Sequence, residues 1–381
     1  MNILFVIPGS FSPSLGGVER VTDLLAREFL QRNHKVYFLC TYSGLDHSNS
    51  AVDVFCLSRA QESVFSDRSV CEYQKILEDN KIKIVINQKP LCEDGLFILE
   101  NTPSSVKVVS VYHSKPFGDY LAKLIIWKRK GIMGKFVSLF YRYKIQQTKH
   151  IFRKIIDKSD CLCLLSGSYI KELGRFLDLE DCKKLRAINN PNIFDHGKNS
   201  LCYSAKENVL LFVGRLAFFQ KNTLEFIKVW EIVSKNNPSW RAEIVGNDTG
   251  CQKEHDYVEK NRIKRCEFVG YVQDVSSYYE KASVICMTSH YEGWPMVLIE
   301  AMSRGCVPVV YKTFSAIHDI ITDTNGILIE PYDINSMARG IQYLIDNPHV
   351  RSRMAVSAVD SQRKFDVSSI ADEWEKLFAD I

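Results

Sequence analysis

Two carboxylates, Glu292 and Glu300, stand with seven residues between them in the stretch Ser289-His-Tyr-Glu-Gly-Trp-Pro-Met-Val-Leu-Ile-Glu-Ala-Met-Ser-Arg-Gly-Cys-Val-Pro308. The spacing predicts one acid in a loop and the other in the second turn of the helix that follows. They would then grip hydroxyl groups at different parts of one extended ligand rather than work as an acid/base pair. The flanking runs Ser283–Met287 and Val307–Tyr311 read as buried strands. Pro295 suits the first turn of the intervening helix and Gly305 its C-terminal stop. Val297, Leu298, Ala301 and Met302 put apolar groups on one helix side. The unit is therefore strand, loop, helix, strand. Ligands of parallel sheets sit at the carboxyl ends of the strands, and the first backbone N–H groups of a helix favour an anion. The stretch is suited to a negatively charged ligand that also carries hydroxyls.

Cations for such a ligand occur earlier. Arg215 and Lys221 follow the strand Val209–Val213. Two cations and a helix N-terminus make a diphosphate cradle, since each supplies complementary charge or N–H donors. The plainer alternative makes Arg215 and Lys221 surface residues and Glu300 a capping or pairing group. Near the start, the loop Pro8–Gly17 carries Gly9, Gly16 and Gly17 between a strand Ile3–Ile7 and a helix Val18–Arg32. It lacks the G-x-G-x-x-G dinucleotide fingerprint. Its paired glycines permit close backbone approach to a ligand or serve a tight turn alone. His113 follows the strand-like run Val106–Tyr112 and could handle a proton, bind a ligand, or cap loop backbone.

The elements that must position these residues form two α/β halves. The chain has 381 residues, 46% hydrophobic and 25% charged, with a net charge of +4. Bulk charge of that size gives no case for nucleic-acid binding. Met1–Pro8 has neither the basic start nor the cleavage site of a signal peptide. No apolar run reaches the roughly 18–20 residues needed to span a bilayer. The 12 cysteines are scattered without a C-x-x-C pair, so they are expected reduced and mostly buried, with no metal knuckle. Further strand-like runs in the first half are Lys35–Cys40, Val52–Leu57, Ile82–Asn87 and Cys161–Leu165. The second half adds Ala242–Val245, Cys266–Val269 and Gly326–Glu330, then an Asp333-capped helix to about Asp346 and a last helix near Ser368–Phe378. The polar, turn-rich run Ala187–Ser200 reads as a linker. The expected organisation is a first domain 1–190, a linker 191–203, a second domain 204–360, and a C-terminal helix within 361–381 packing back towards the first. Lys123–Lys158 mixes lysine and arginine with Trp127, Phe136, Phe140 and Phe152, and Asp157 is its only acid. A basic helix of this kind lies on an anionic membrane surface or is a solvated helix packed on its own domain; nucleic acid is the least favoured partner.

The set Val213-Gly214-Arg215-Leu216, Lys221 and Tyr291–Pro308 resembles the retaining nucleotide-sugar glycosyltransferases of family 4, which have the GT-B fold. Gly16-Gly17-Val18-Glu19-Arg20 is similar to that family's N-terminal glycine loop, and Asn190-Pro191 to its domain-joining turn. The resemblance covers nearly the whole chain, and its strongest part is the long motif with Glu292 and Glu300. It implies two Rossmann-like, doubly wound domains facing across a cleft. It also implies hexosyl transfer with retention, from a nucleotide sugar, UDP-linked in our reading, to a cell-surface glycan such as lipopolysaccharide core or a lipid-linked oligosaccharide. Arg215 and Lys221 would stabilise the leaving diphosphate. Glu292 would hold the donor sugar and Glu300 the ribose. Gly293, Trp294, Pro295, Met296 and Val297 would meet phosphate and sugar, and Tyr271 and Val272 the base. Gly16 and Gly17 would approach the phosphate and His113 the sugar from the other domain. No metal and no cofactor is implied, the nucleotide sugar being a substrate. The setting would be cytoplasmic, peripheral at the inner face of the membrane through Lys123–Lys158. Two departures stand out: six positions separate Arg215 from Lys221 where five are common, and Trp294 replaces the commoner phenylalanine. A GT-B sugar-nucleotide epimerase and a non-catalytic, membrane-associated binding protein are the alternatives.

Overall fold

The structure is a computed structural model and describes residues 1–7, 16–41, 52–57, 65–127, 131–194, 206–216 and 219–381. Gly9, Lys128–Lys130, most of the expected linker and Ala217–Phe218 lie outside them. The chain divides into two compact units, Met1–Ile193 with Val367–Ile381, and Phe194–Asp366.

Among the described residues the first unit contains seven strands: β1 (Asn2–Ile7), β2 (Lys35–Cys40), β3 (Asp53–Cys56), β4 (Ile84–Asn87), β5 (Lys107–Tyr112), β6 (Cys161–Leu164) and β7 (Leu185–Ala187). They form one sheet in the order β3-β2-β1-β4-β5-β6-β7. Every pairing is parallel, with Phe5 of β1 in register with Phe38 and Ile86. The central strands are runs of β-branched and large apolar residues with both faces covered, as a parallel sheet requires. The order reverses between β1 and β4, and such a switch point opens a crevice at the carboxyl ends of the two strands.

The helix Gly17–Gln31 buries Val21, Leu25 and Phe29. The last helix, Val367–Asp380, packs on it within the same unit: Phe29 and Phe378 rings lie 5.7 Å apart, and Arg32 reaches Asp372 at 2.5 Å and Glu375 at 2.8 Å. Burying an aromatic cluster under an arginine clasp secures the final helix to a unit far away in sequence. The basic stretch forms two helices rather than one, Gly118–Trp127 and Gly131–Lys158, the second opening on Gly131 at φ 62°. β7 ends at Ala187, where the turn-rich run of the expected linker begins. It forms because Leu185 and Ile188 are buried despite their charged neighbours.

The second unit holds β8 (Glu207–Val213), β9 (Arg241–Val245), β10 (Cys266–Gly270), β11 (Ala282–Met287), β12 (Val307–Tyr311) and β13 (Ile327–Ile329). Their order is β10-β9-β8-β11-β12-β13, again all parallel. Here the switch point lies between β8 and β11. Leu210, Phe212, Phe226, Trp230, Ile244 and Met337 belong to its core. Asp333 caps the helix Ile334–Asp346 by accepting from the Ser336 N–H, as its position predicts.

Candidate active site

At the carboxyl ends of β8 and β11 the sequence-predicted groups begin to converge. Glycines let the strand ends crowd together. Gly214 N–H donates to Val245 O at 3.0 Å, and Gly246 N–H to Gly270 O at 2.9 Å. Gly246 sits at φ 149°, and a Cβ there would lie 1.8 Å from the Gly214 carbonyl oxygen, so no larger residue fits. A Cβ on Gly214 would press on the Lys221 stem at 3.3 Å. Its absence leaves room for Lys221 to extend from the short 3-10 turn Phe219–Lys221. Lys221 Nζ then donates to Glu292 Oε1 at 2.7 Å, with side chains 12% and 6% exposed.

The second oxygen of Glu292 is held by a residue that sequence reasoning passed over. Gln220 Nε2 donates to Glu292 Oε2 at 2.9 Å and to Tyr291 O at 3.1 Å, while Gln220 O accepts from His290 N–H at 2.8 Å. Phe219 stacks on His290, ring centroids 4.4 Å apart. The extra position between Arg215 and Lys221 therefore does not pull Lys221 away from Glu292. The last residues of that segment stitch the turn to the Glu292 loop. A hydrogen bond to a charged group contributes about 1.5–3 kcal/mol. Gln220→Ala should accordingly lower kcat/KM by about 10- to 100-fold. Steady-state kinetics of the protein's reaction, with the Lys221–Glu292 pair intact, would check this.

The loop from Tyr291 leads through buried Gly293, Trp294 and Pro295 into the helix Met296–Ser303. Pro295 stands at the N-cap, one residue earlier than expected, and no side chain caps this helix N-terminus. Gly305, at φ 77°, follows its C-cap as predicted. Met296 and Val297 are half-buried. Trp294 turns its ring edge-on to Phe365 at 5.1 Å, so its extra bulk over phenylalanine packs within the unit. Glu300 is 2% exposed and accepts from Tyr279 Oη at 2.8 Å. It is tied to a tyrosine rather than to Lys221, so the two carboxylates have different partners. Arg215 is exposed just after β8, and Val272 is half-buried just after β10.

In the first unit a second polar cluster gathers at the ends of β1, β4 and β5. Gly17 opens its helix, and Gly16 O accepts from Arg20 N–H at 3.1 Å. Glu19 is nearly buried and pairs with Lys89 at 3.3 Å. Gln88 N–H donates to Val6 O at 3.1 Å, which fixes Gln88 beside the end of β1. His113 Nε2 meets Gln88 Oε1 at 2.5 Å. Burial, and then the nearby Lys89 cation, push the His113 imidazole down to about 4, so it is neutral at pH 7. Nothing in the sequence pattern singled out Gln88 or Lys89. The only available signal was their place directly after a central strand.

Residues 198–359 match the model of a family described as Glycosyl transferases group 1. The matched residues lie within the second unit and include its β8–β11 edge, with Lys221, Gln220 and Glu292. The chain is 28% identical over 223 residues to the GalNAc-alpha-(1->4)-GalNAc-alpha-(1->3)-diNAcBac-PP-undecaprenol alpha-1,4-N-acetyl-D-galactosaminyltransferase of Campylobacter jejuni, covering 58% of this chain and 60% of that protein. It is 28% identical over 314 residues to the amylovoran biosynthesis glycosyltransferase AmsD of Erwinia amylovora, covering 78% of this chain and 86% of that one. The crystal structure of Anabaena Alr3699/HepE in complex with UDP and glucose superposes with a TM-score of 0.76 at 16% identity, over the whole of both chains. That likeness is one of fold, and the fold is GT-B. Among the described residues no group of side chains is arranged to hold a metal ion, and no helix is long and apolar enough to cross a membrane.

Proposed function

We propose that the chain is a retaining glycosyltransferase that moves a hexosyl unit from a UDP-linked donor to a cell-surface glycan, such as lipopolysaccharide core or a lipid-linked oligosaccharide. The observation that carries this reading is the Lys221–Glu292–Gln220 constellation at the switch point of the second sheet. The relatives above support it. One is named for an undecaprenol-linked acceptor, another for amylovoran biosynthesis, and the structural neighbour was solved with UDP and glucose.

In this reading Lys221 and Arg215 meet the diphosphate. Charge on the leaving phosphate grows as the glycosidic bond breaks, and fixed cations stabilise that charge without reorganisation. They take the role a metal ion plays in other transferases. Glu292, oriented through both oxygens, accepts from sugar hydroxyls. Glu300, steadied by Tyr279, accepts from the ribose. Backbone groups from Gly293 to Val297 meet phosphate and sugar, and main chain at Val272 meets the base. Within the first unit, His113 and the backbone at Gly16 and Gly17 are the groups assigned to ligand contact in this reading. A reaction with the true donor and acceptor should give a product with the anomeric configuration of the donor, read by NMR of the new linkage; an inverted product sinks the retaining assignment.

The helix Gly131–Lys158 motivates the membrane part. It buries Gly134, Ile145, Phe152 and Ile155 on one side. Phe136, Leu139, Phe140 and Tyr143 are exposed on the other, at the spacing of a single helix face, with Phe136 73% exposed. Exposed Lys135 and Arg142 lie among them. Aromatic groups at the headgroup level with flanking cations fit an anionic bilayer surface. We place the protein on that ground at the inner face of the membrane, in the cytoplasm. Phe136→Glu with Phe140→Glu should release the protein from phosphatidylglycerol vesicles in co-sedimentation at low salt while leaving turnover of a soluble acceptor unchanged. Wild-type protein that ignores such vesicles contradicts the placement.

A further inference from the structure

The hydrogen-bond chain behind His113 has a direction, and the direction fixes what the imidazole offers to a ligand. Thr22, fully buried in the helix Gly17–Gln31, has its Oγ1 donating to Val18 O at 2.8 Å. Its proton is thereby used, so Thr22 Oγ1 faces Gln88 as an acceptor. Gln88, 2% exposed, meets it with the amide nitrogen, Nε2 donating to Thr22 Oγ1 at 3.1 Å. An amide has one donor end and one acceptor end. The carbonyl end, Oε1, must therefore be the atom 2.5 Å from His113 Nε2, and it can only accept. The proton between them belongs to His113 Nε2. On a neutral imidazole the other nitrogen, Nδ1, then carries a lone pair. Nδ1 is buried and has no hydrogen-bond partner among the described residues. A buried acceptor without a donor costs free energy, and a site keeps one where a ligand completes it.

We propose that Gln88 is a positioning residue that fixes His113 as the Nε2–H tautomer, so that Nδ1 accepts a hydrogen bond from a hydroxyl of a sugar ligand. The chemistry excludes a phosphate group as that partner. Phosphate oxygens at neutral pH are acceptors and cannot satisfy a lone pair, whereas a sugar hydroxyl can donate to it. The charged groups beside this nitrogen agree. Lys89 disfavours a second positive charge on the ring, and Glu19, paired with Lys89, keeps that cation in place. The identity of the hydroxyl rests on the transferase reading; the tautomer does not.

The test is the ring itself. Long-range proton–nitrogen NMR on ligand-free protein with nitrogen-15 histidine, assigned by loss of signals in His113→Ala, should show His113 neutral at pH 7 with its proton on Nε2. The reversed chain, with Thr22 donating to Gln88, places the proton on Nδ1; that result, or a protonated ring, overturns the proposal. Thr22→Val removes the group that orients the amide and should give a mixed tautomer population, while an unchanged pure Nε2–H form would show that Gln88 is not oriented this way. Gln88→Glu puts a carboxylate beside Nε2, holds the ring protonated and converts Nδ1 to a donor. Its kcat/KM should fall about tenfold or more, increasingly so as pH drops through neutrality. If the tautomer is as stated and His113→Ala leaves donor turnover unchanged, the sugar contact fails, and the roles of Arg215 and Lys221 stand apart from it.

Discussion

Replacing Arg215 and Lys221 together with alanine should cut kcat by about 10³-fold or more, with a smaller rise in donor KM. A nucleoside diphosphate leaves with more negative charge than it carried in the ground state, so groups that neutralise it act mainly in the transition state. The two side chains contribute unequally to folding. Arg215 is exposed, where side-chain contacts contribute about 0–1 kcal/mol, so its removal should cost no more than that. Lys221 is paired with a nearly buried carboxylate, and breaking such a pair costs about 3–5 kcal/mol because the remaining charge loses its partner. Rates of the single and double variants are therefore to be compared below the unfolding transition of each, followed by circular dichroism. A double variant that still turns over donor within tenfold of wild type would remove both residues from the mechanism.

The second large effect belongs to Glu292. Glu292→Gln keeps the shape but removes the charge and one acceptor. The new amide presents its NH2 either to Lys221 or to Gln220, both of them donors, so one of the two contacts at 2.7 and 2.9 Å becomes a donor–donor contact. Transfer should fall by about 10²- to 10³-fold, since the sugar loses an oriented carboxylate and Lys221 loses its anchor. The isolated nucleoside diphosphate should lose much less affinity, because in this account Glu292 touches sugar and not phosphate. Isothermal titration with UDP alongside turnover separates the two. Equal losses in UDP affinity and turnover would mean that Glu292 acts only by holding the unit together.

Much of this architecture can be read from residue patterns. The strands around both switch points are continuous apolar runs such as Ile3–Ile7 and Val307–Tyr311, which a parallel sheet buries on both faces. Gly305 and Asp333 mark helix ends by local chemistry alone. The three-residue strand Leu185–Ala187 is different, since it lies among Lys183, Lys184 and Arg186 and becomes a strand only by pairing with β6. The single basic helix read from Lys123–Lys158 also fails, because charge composition is blind to a glycine at positive φ. For the site, residue type and spacing single out Lys221 and Glu292, and folding brings them together. They do not reveal Gln220, Tyr279, Gln88 or Thr22. Each of these polar side chains acquires its role from a partner 21 to 72 positions away. A glutamine one residue ahead of a lysine carries no such signal until the chain has folded.

The proposed function requires that the β8–β11 edge of the second unit grip a nucleotide sugar through Arg215, Lys221 and Glu292. It is tested most directly by a thermal-shift and sugar-release screen over nucleotide sugars, run in parallel on the wild type and on Arg215→Ala with Lys221→Ala. One donor, a UDP-hexose in our reading, should both raise the melting temperature of the wild type and lose its sugar, and the double variant should do neither. A donor that stabilises the double variant as strongly and is turned over at a comparable rate would contradict the claim.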